Sequence, residues 1–91
     1  MGARELRPKR LAEKLKQIRI GLGLSQNELL EKIGFSEHIF QGNVSQYELG
    51  RREPPLPVLL RYAQLAKTSV DVLIDDEQNL PNYRKQDIHK G

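Results

Sequence analysis

Large apolar residues recur along most of this chain at intervals of three and four, the spacing of one helix face. Leu11, Leu15, Ile18 and Leu22 are spaced four, three and four apart, on one face of an amphipathic helix. Glycines at 21, 23, 34, 42 and 50 and prolines at 54, 55 and 57 interrupt the pattern repeatedly. The chain is therefore restricted to short helices joined by tight turns. Ninety-one residues serve one small domain, and Leu, Ile, Val and Phe together number 26, enough for a core. With no Cys there is no disulfide or thiolate metal site, so helix packing must carry the stability. No apolar run exceeds three residues, which speaks against a transmembrane helix or signal peptide. Leu6 stands where a myristoylation signal after Met1-Gly2 needs Ser or Thr. The expectation is a soluble, cytoplasmic protein.

The first helix is expected over about residues 9–21, stopped by Gly21 and Gly23. Ser25-Gln26-Asn27-Glu28 is an S-x-x-E capping box, which starts a second helix over about 26–33, with Gly34 as its C-cap and Phe35 trailing. Ser36 to Gly50 offers two helix starts. Phe40, Val44 and Tyr47 share one face and favour a start near 37 with Ser36 as cap; Asn43-x-x-Gln46 is itself a capping box and favours a start after Gly42. Arg51 to Pro55 reads as a loop, because two prolines remove N–H donors and push their predecessors to extended conformations. A fourth helix is expected over about 56–67, burying Leu56, Leu59, Leu60, Ala63 and Ala66. Ser69 caps a short final helix containing Val70, Leu73 and Ile74. The resulting division is a basic arm at 1–8, an all-α five-helix domain at 9–77 and a polar, frayed tail at 78–91.

The net charge of +3 conceals segregation. Residues 1–19 carry +5, 20–50 carry −3, 51–67 carry +3, 68–77 carry −4 and 78–91 carry +2. Two basic blocks thus flank an acidic middle, a pattern that suits either solvated faces or phosphate-contacting surfaces. His38 and His89 lie apart, with no Cys or second His at ligand spacing, so no metal site or cofactor is expected. Asp75, Asp76 and Glu77 are consecutive, so they do not converge on one helix face as a catalytic pair would. There is neither a glycine-rich phosphate loop nor a nucleophile elbow, and an enzyme is not expected.

The order of elements from Leu15 to Ile74 is the most informative feature. The run Leu15-Lys16-Gln17-Ile18-Arg19 with Gly23-Leu24-Ser25-Gln26-Asn27-Glu28-Leu29, and then Val44-Ser45-Gln46-Tyr47-Glu48-Leu49-Gly50-Arg51-Arg52-Glu53-Pro54, closely resembles the lambda-repressor-like helix-turn-helix family, also called Cro/repressor or XRE. The resemblance covers about two thirds of the chain. It implies a compact bundle of five helices in which the third enters the major groove of DNA.

On that resemblance, Arg19 and Glu48 match an ion pair that ties the first helix to the recognition helix. Gln26, in the first turn of helix 2, matches a phosphate-contacting position, and Arg51 and Arg52 match loop residues near the DNA backbone. Gln41, Asn43, Ser45 and Gln46 are the base-reading candidates, because Gln and Asn bond bidentately to adenine and Ser bonds to base edges or phosphate. Arg4, Arg7, Lys9 and Arg10 form the basic arm. Val44 and Tyr47 are expected in the core.

Three departures from the family pattern stand out: about four extra residues between Gly34 and Glu48, Leu30 where Ala is common, and Lys67 where a helix-ending Gly is frequent. The extra material either lengthens the recognition helix or widens the turn before it. The implied function is a sequence-specific, double-stranded DNA-binding transcriptional regulator, a repressor or autoregulator associated with the nucleoid. One helix reads only a few base pairs, so a homodimer on two half-sites is expected. The rival reading is a protein-interaction module, such as an antitoxin or coactivator. It would present Val72, Ile74 and the Asp75–Glu77 run to a protein partner.

Overall fold

The computed structural model describes residues 7–35 and 37–81. They form five helices and, among the described residues, no strand: α1 Leu11–Gly21, α2 Gln26–Ile33, α3 Gln41–Glu48, α4 Leu56–Leu65 and α5 Val70–Ile74. The all-α, five-helix expectation holds. No helix among the described residues is long and apolar enough to cross a membrane.

The most extensive packing follows a closed circuit, α1 on α3, α3 on α2, α2 on α4, α4 on α5 and α5 back on α1. Leu15, Ile18, Leu29, Ile33, Val44, Tyr47, Tyr62 and Leu73 fill its interior. No helix among the described residues exceeds 11 residues, too short to be stable alone in water. Each persists because its neighbours cover its apolar face.

Local chemistry sets α2 in full. Ser25 Oγ accepts from the Glu28 N–H at 3.0 Å, and Glu28 Oε1 accepts from the Ser25 N–H at 2.8 Å. Gly34, left-handed at φ 87°, ends the helix. α3 follows neither sequence expectation. It begins at Gln41 with Phe40 as N-cap residue, and Asn43 is its third residue rather than its cap. The Asn43 side-chain oxygen accepts from the Phe40 N–H at 2.8 Å. Phe40 offers no side-chain acceptor in return, so only half of a capping box forms. The extra residues therefore widen the turn between α2 and α3. Ile39 is buried and Phe35 packs on the core, anchoring that turn, while Phe40 faces solvent.

Two further expectations are corrected. α4 buries Val58, Leu59, Tyr62 and Ala63, whereas Leu56 and Leu60 are exposed. The expected stripe and the observed one share Leu59, Ala63 and Ala66, and Tyr62 decides between the two flanks by filling the space beside Tyr47, Arg19 and Glu48. The sequence predicts a polar tail from residue 78, yet Gln78 and Asn79 bond to Arg10 and Leu80 packs on the core. Residues 82–91 lie outside the described residues, as do residues 1–6 of the arm.

α3 and α4 end alike. Arg51 N–H bonds back to Gln46 O and Gly50 N–H to Tyr47 O, with Gly50 left-handed at φ 76°. Thr68 N–H bonds to Ala63 O and Lys67 N–H to Gln64 O, with Lys67 in the same conformation at φ 58°. Lys67 accepts strain that glycine avoids.

Candidate nucleic-acid interface

α2 and α3 pack against each other across the widened turn, and α1 also packs on α3. The link is Arg19. Its Nε donates to Glu48 Oε2 at 2.7 Å, one terminal nitrogen donates to Glu48 Oε1 at 3.1 Å, and the other donates to Leu24 O at 2.9 Å. Both side chains are largely buried, with 16% and 4% exposed. The bond to Glu48 raises the Arg19 pKa further, so the guanidinium stays charged. This fork fixes the C-terminal end of α3 against the C-terminal half of α1. The Tyr62 hydroxyl is buried in the same region without a hydrogen-bond partner among the described residues. Burial and the nearby Glu48 carboxylate push its pKa up.

The candidate base readers separate by exposure. Gln41 and Gln46 are exposed and Ser45 is half-buried. Gln41 and Ser45 lie one helical turn apart. Asn43 is different. Its side-chain oxygen already accepts from the Phe40 N–H, and bidentate reading of adenine needs the amide oxygen and nitrogen together. The bond holds the amide against the start of α3. Gln26 is likewise engaged, since its amide nitrogen donates to Glu48 Oε1 at 3.3 Å and makes it a third member of the ion-pair cluster. Val44 and Tyr47 point into the core.

The basic blocks resolve into two classes of side chain. Arg10 donates to Asp76 O at 2.7 Å and Asn79 Oδ1 at 2.8 Å. Lys14 is fully buried, and its Nζ donates to Val72 O at 2.7 Å and Asp75 O at 2.8 Å, carbonyls at the C-terminal end of α5. Desolvation, and then repulsion from Arg10, lowers its pKa. Arg61 donates to Ile33 O at 2.9 Å at the C-terminal end of α2. These three cations hold helix ends together, so the charge of the two basic blocks is not all available to phosphate. Lys14 is detectable in the sequence, because it sits three residues after Leu11 and four before Ile18, on the buried face.

Arg51 and Arg52, by contrast, are exposed, and their guanidinium groups have no ion-pair or hydrogen-bond partner among the described residues. Arg52 stands close enough to Tyr47 to oppose the rise that burial gives its phenol pKa. An open cleft of about 270 Å³ separates this loop from the start of α1, lined by Arg7, Lys9, Tyr47, Gly50 and Arg52. The part of the arm that is described has a direction: Arg7 Nε pairs with Glu53 Oε2 at 2.9 Å. Arg4 lies outside the described residues.

The acidic run is also internal to the fold. Asp76 accepts the Lys9 and Arg10 N–H groups at 3.0 and 3.1 Å, capping the start of α1. Those two bonds hold its carboxyl below the usual aspartate range. Asp75 accepts from the Glu77 N–H and from Gln78 Nε2. Asp75 and Asp76 are thus half-buried and committed to bonds within the chain, while Ile74 and Glu77 are exposed.

Two packed short helices, a capped N-terminus on the first and an exposed polar face on the second form the architecture that carries DNA recognition in many regulators. A family model described as helix-turn-helix domain matches residues 12–78. The chain belongs to the helix-turn-helix domain family. The matched segment runs from the first turn of α1 past α5 and includes the whole helix circuit. No curated protein and no solved structure matches the chain. Membership in the helix-turn-helix family points to a DNA-binding regulator with DNA as its partner.

Proposed function

We propose that this helix-turn-helix protein is a sequence-specific transcriptional regulator of the Cro/repressor type, a repressor or autoregulator that binds duplex DNA as a homodimer. The observation that carries the reading is the composition of the exposed α3 face. Gln41, Ser45 and Gln46 are uncharged hydrogen-bonding groups, and Arg51 and Arg52, whose guanidinium groups have no partner among the described residues, follow the helix end after two intervening residues. Amides and hydroxyls discriminate base edges, whereas guanidinium groups attract phosphate without regard to sequence. In this reading α3 lies in the major groove, Gln46 and Gln41 read bases, and Arg51 and Arg52 bind the backbone. Arg19 and Glu48 align the reader without touching DNA.

Selection of bound duplexes from a random pool tests the proposal. A palindromic consensus with half-sites about one helical turn apart is expected for a two-fold dimer. Gln46→Ala should relax preference at one base position. Arg51→Ala should weaken all sequences alike and reduce the salt dependence of binding by about one unit of slope. If random competitor DNA abolishes every preference, the protein is not a specific reader. The reverse pattern for the two variants would exchange their roles.

A further inference from the structure

We propose that Phe40 is an additional specificity-determining residue, which rests on the DNA-reading role of α3 and recognises the C5-methyl group of a thymine in the major groove. Phe40 is the N-cap residue of α3, immediately before the exposed Gln41, and is 67% exposed. Its apolar neighbours in the widened turn are not exposed in the same way, since Ile39 is buried and Phe35 packs on the core. The apolar content of the turn is thus divided between two anchors and one outward ring.

That ring rides on a fixed backbone. The Phe40 N–H donates to Asn43 Oδ1 at 2.8 Å, and Phe40 O accepts from the Asn43 N–H at 2.9 Å. Ahead of it, the His38 and Ile39 N–H groups both donate to Phe35 O, at 2.8 and 2.9 Å. Little backbone freedom remains to be lost on binding, which favours a contact made by a single side chain. The N-terminal residues of a recognition helix are the ones that meet base edges.

In stacked duplex DNA the ring faces of the bases are covered, so an aromatic side chain in the major groove meets base edges only. Among those edges the thymine methyl is the apolar group. A phenyl ring at the start of α3 matches that one chemistry and gains nothing from the donors and acceptors around it. The role also explains why the extra residues before α3 include a large apolar side chain that the core does not use.

The test is a double substitution cycle on the duplex recovered by random-pool selection, with affinity read by fluorescence anisotropy. Each thymine is replaced in turn by deoxyuridine, which removes only the methyl group. With the unaltered protein, one thymine per half-site should weaken binding about fourfold when replaced, the equivalent of exposing one methyl group. With Phe40→Ala, binding to the thymine duplex should fall by at least as much, and the deoxyuridine effect at that position should vanish. An undiminished deoxyuridine effect in Phe40→Ala overturns the assignment, as does the absence of any thymine dependence in the unaltered protein. Either result leaves the reading of α3 intact if a site was strongly selected. A pool that yields no preferred site instead defeats the DNA-reading proposal and this inference with it. Should Phe40→Ala change the sedimentation of the free protein and leave the thymine dependence untouched, the ring is a contact between copies of the chain and the assignment is wrong.

Discussion

Replacing Glu48 with Gln keeps the shape of the side chain and removes its charge, which isolates the electrostatic part of the Arg19 link. In the intact protein the Glu48 carboxylate accepts two charge-assisted bonds from Arg19, at 2.7 and 3.1 Å, with 4% of its side chain exposed. The variant leaves Arg19 with its bond to Leu24 O but no counter-charge. Breaking one partner of a buried pair costs about 3–5 kcal/mol, because the remaining charge stays desolvated. A chain of this length has a total stability of roughly 5–13 kcal/mol. With a urea slope of about 1–1.5 kcal/mol/M for a small domain, the unfolding midpoint should fall by at least about 2 M. Urea titration followed by circular dichroism measures it. A second variant separates charge from packing. Arg19→Met with Glu48→Leu removes both charges and should recover to within about 1–2 kcal/mol of the parent, since apolar replacement of a buried pair is often neutral. If Glu48→Gln costs less than about 1 kcal/mol, or if the double variant is no more stable than the single one, the pair is not a desolvated strut and the reasoning fails.

Three further outcomes follow from the same structure. Tyr62→Phe removes a buried hydroxyl that has no partner among the described residues, and thermal unfolding should show a gain of about 1 kcal/mol; a clear loss would mean that the hydroxyl makes a bond. Lys67→Gly relieves a left-handed residue at φ 58° and should stabilise by about 1 kcal/mol in urea titration, whereas Lys67→Ala should give no such gain. The pH dependence turns on Asp76, whose carboxyl is held below its ordinary value of 3.8 by the Lys9 and Arg10 N–H groups. The folded state therefore binds fewer protons than the unfolded chain, and this contribution is present above pH 3.8 and lost as pH falls through the lower folded value. Asp76→Asn should lower the melting temperature at neutral pH and flatten its decline below pH 3.8, and an acid limb as steep as the parent's would refute the cap.

Part of the candidate site is legible in the sequence, and part of that legibility is borrowed from relatives. Arg19, Glu48, Arg51 and Arg52 stand out only through a family resemblance, and the structure places the first two within bonding distance. The same resemblance puts Gln26 among the DNA contacts, and residue type adds Asn43. A free amide and one already engaged in capping or in an ion-pair cluster look the same in sequence. Phe40 falls four residues before Val44, which periodicity reads as the same helix face, yet the helix begins only after it.

What the sequence alone determined is whatever is decided within one helical turn. The apolar spacing made the chain helical, Ser25 and Glu28 started α2, Gly34 stopped it, and Gly50 ended α3. Those interactions join residues at most a few positions apart, so their partners are visible together. The fates of the charges were decided only by tertiary packing. Lys14 meets Val72 across 58 positions and Asp76 meets Lys9 across 67, and no local pattern announces either meeting. Segregated charge in the sequence was therefore compatible with a broad phosphate surface and with a set of internal helix caps. Desolvation selected the second for Lys14, because a buried ion needs partners that only the assembled fold supplies, and Arg10, Arg61 and Asp76, half-buried, meet theirs only across the same helix circuit.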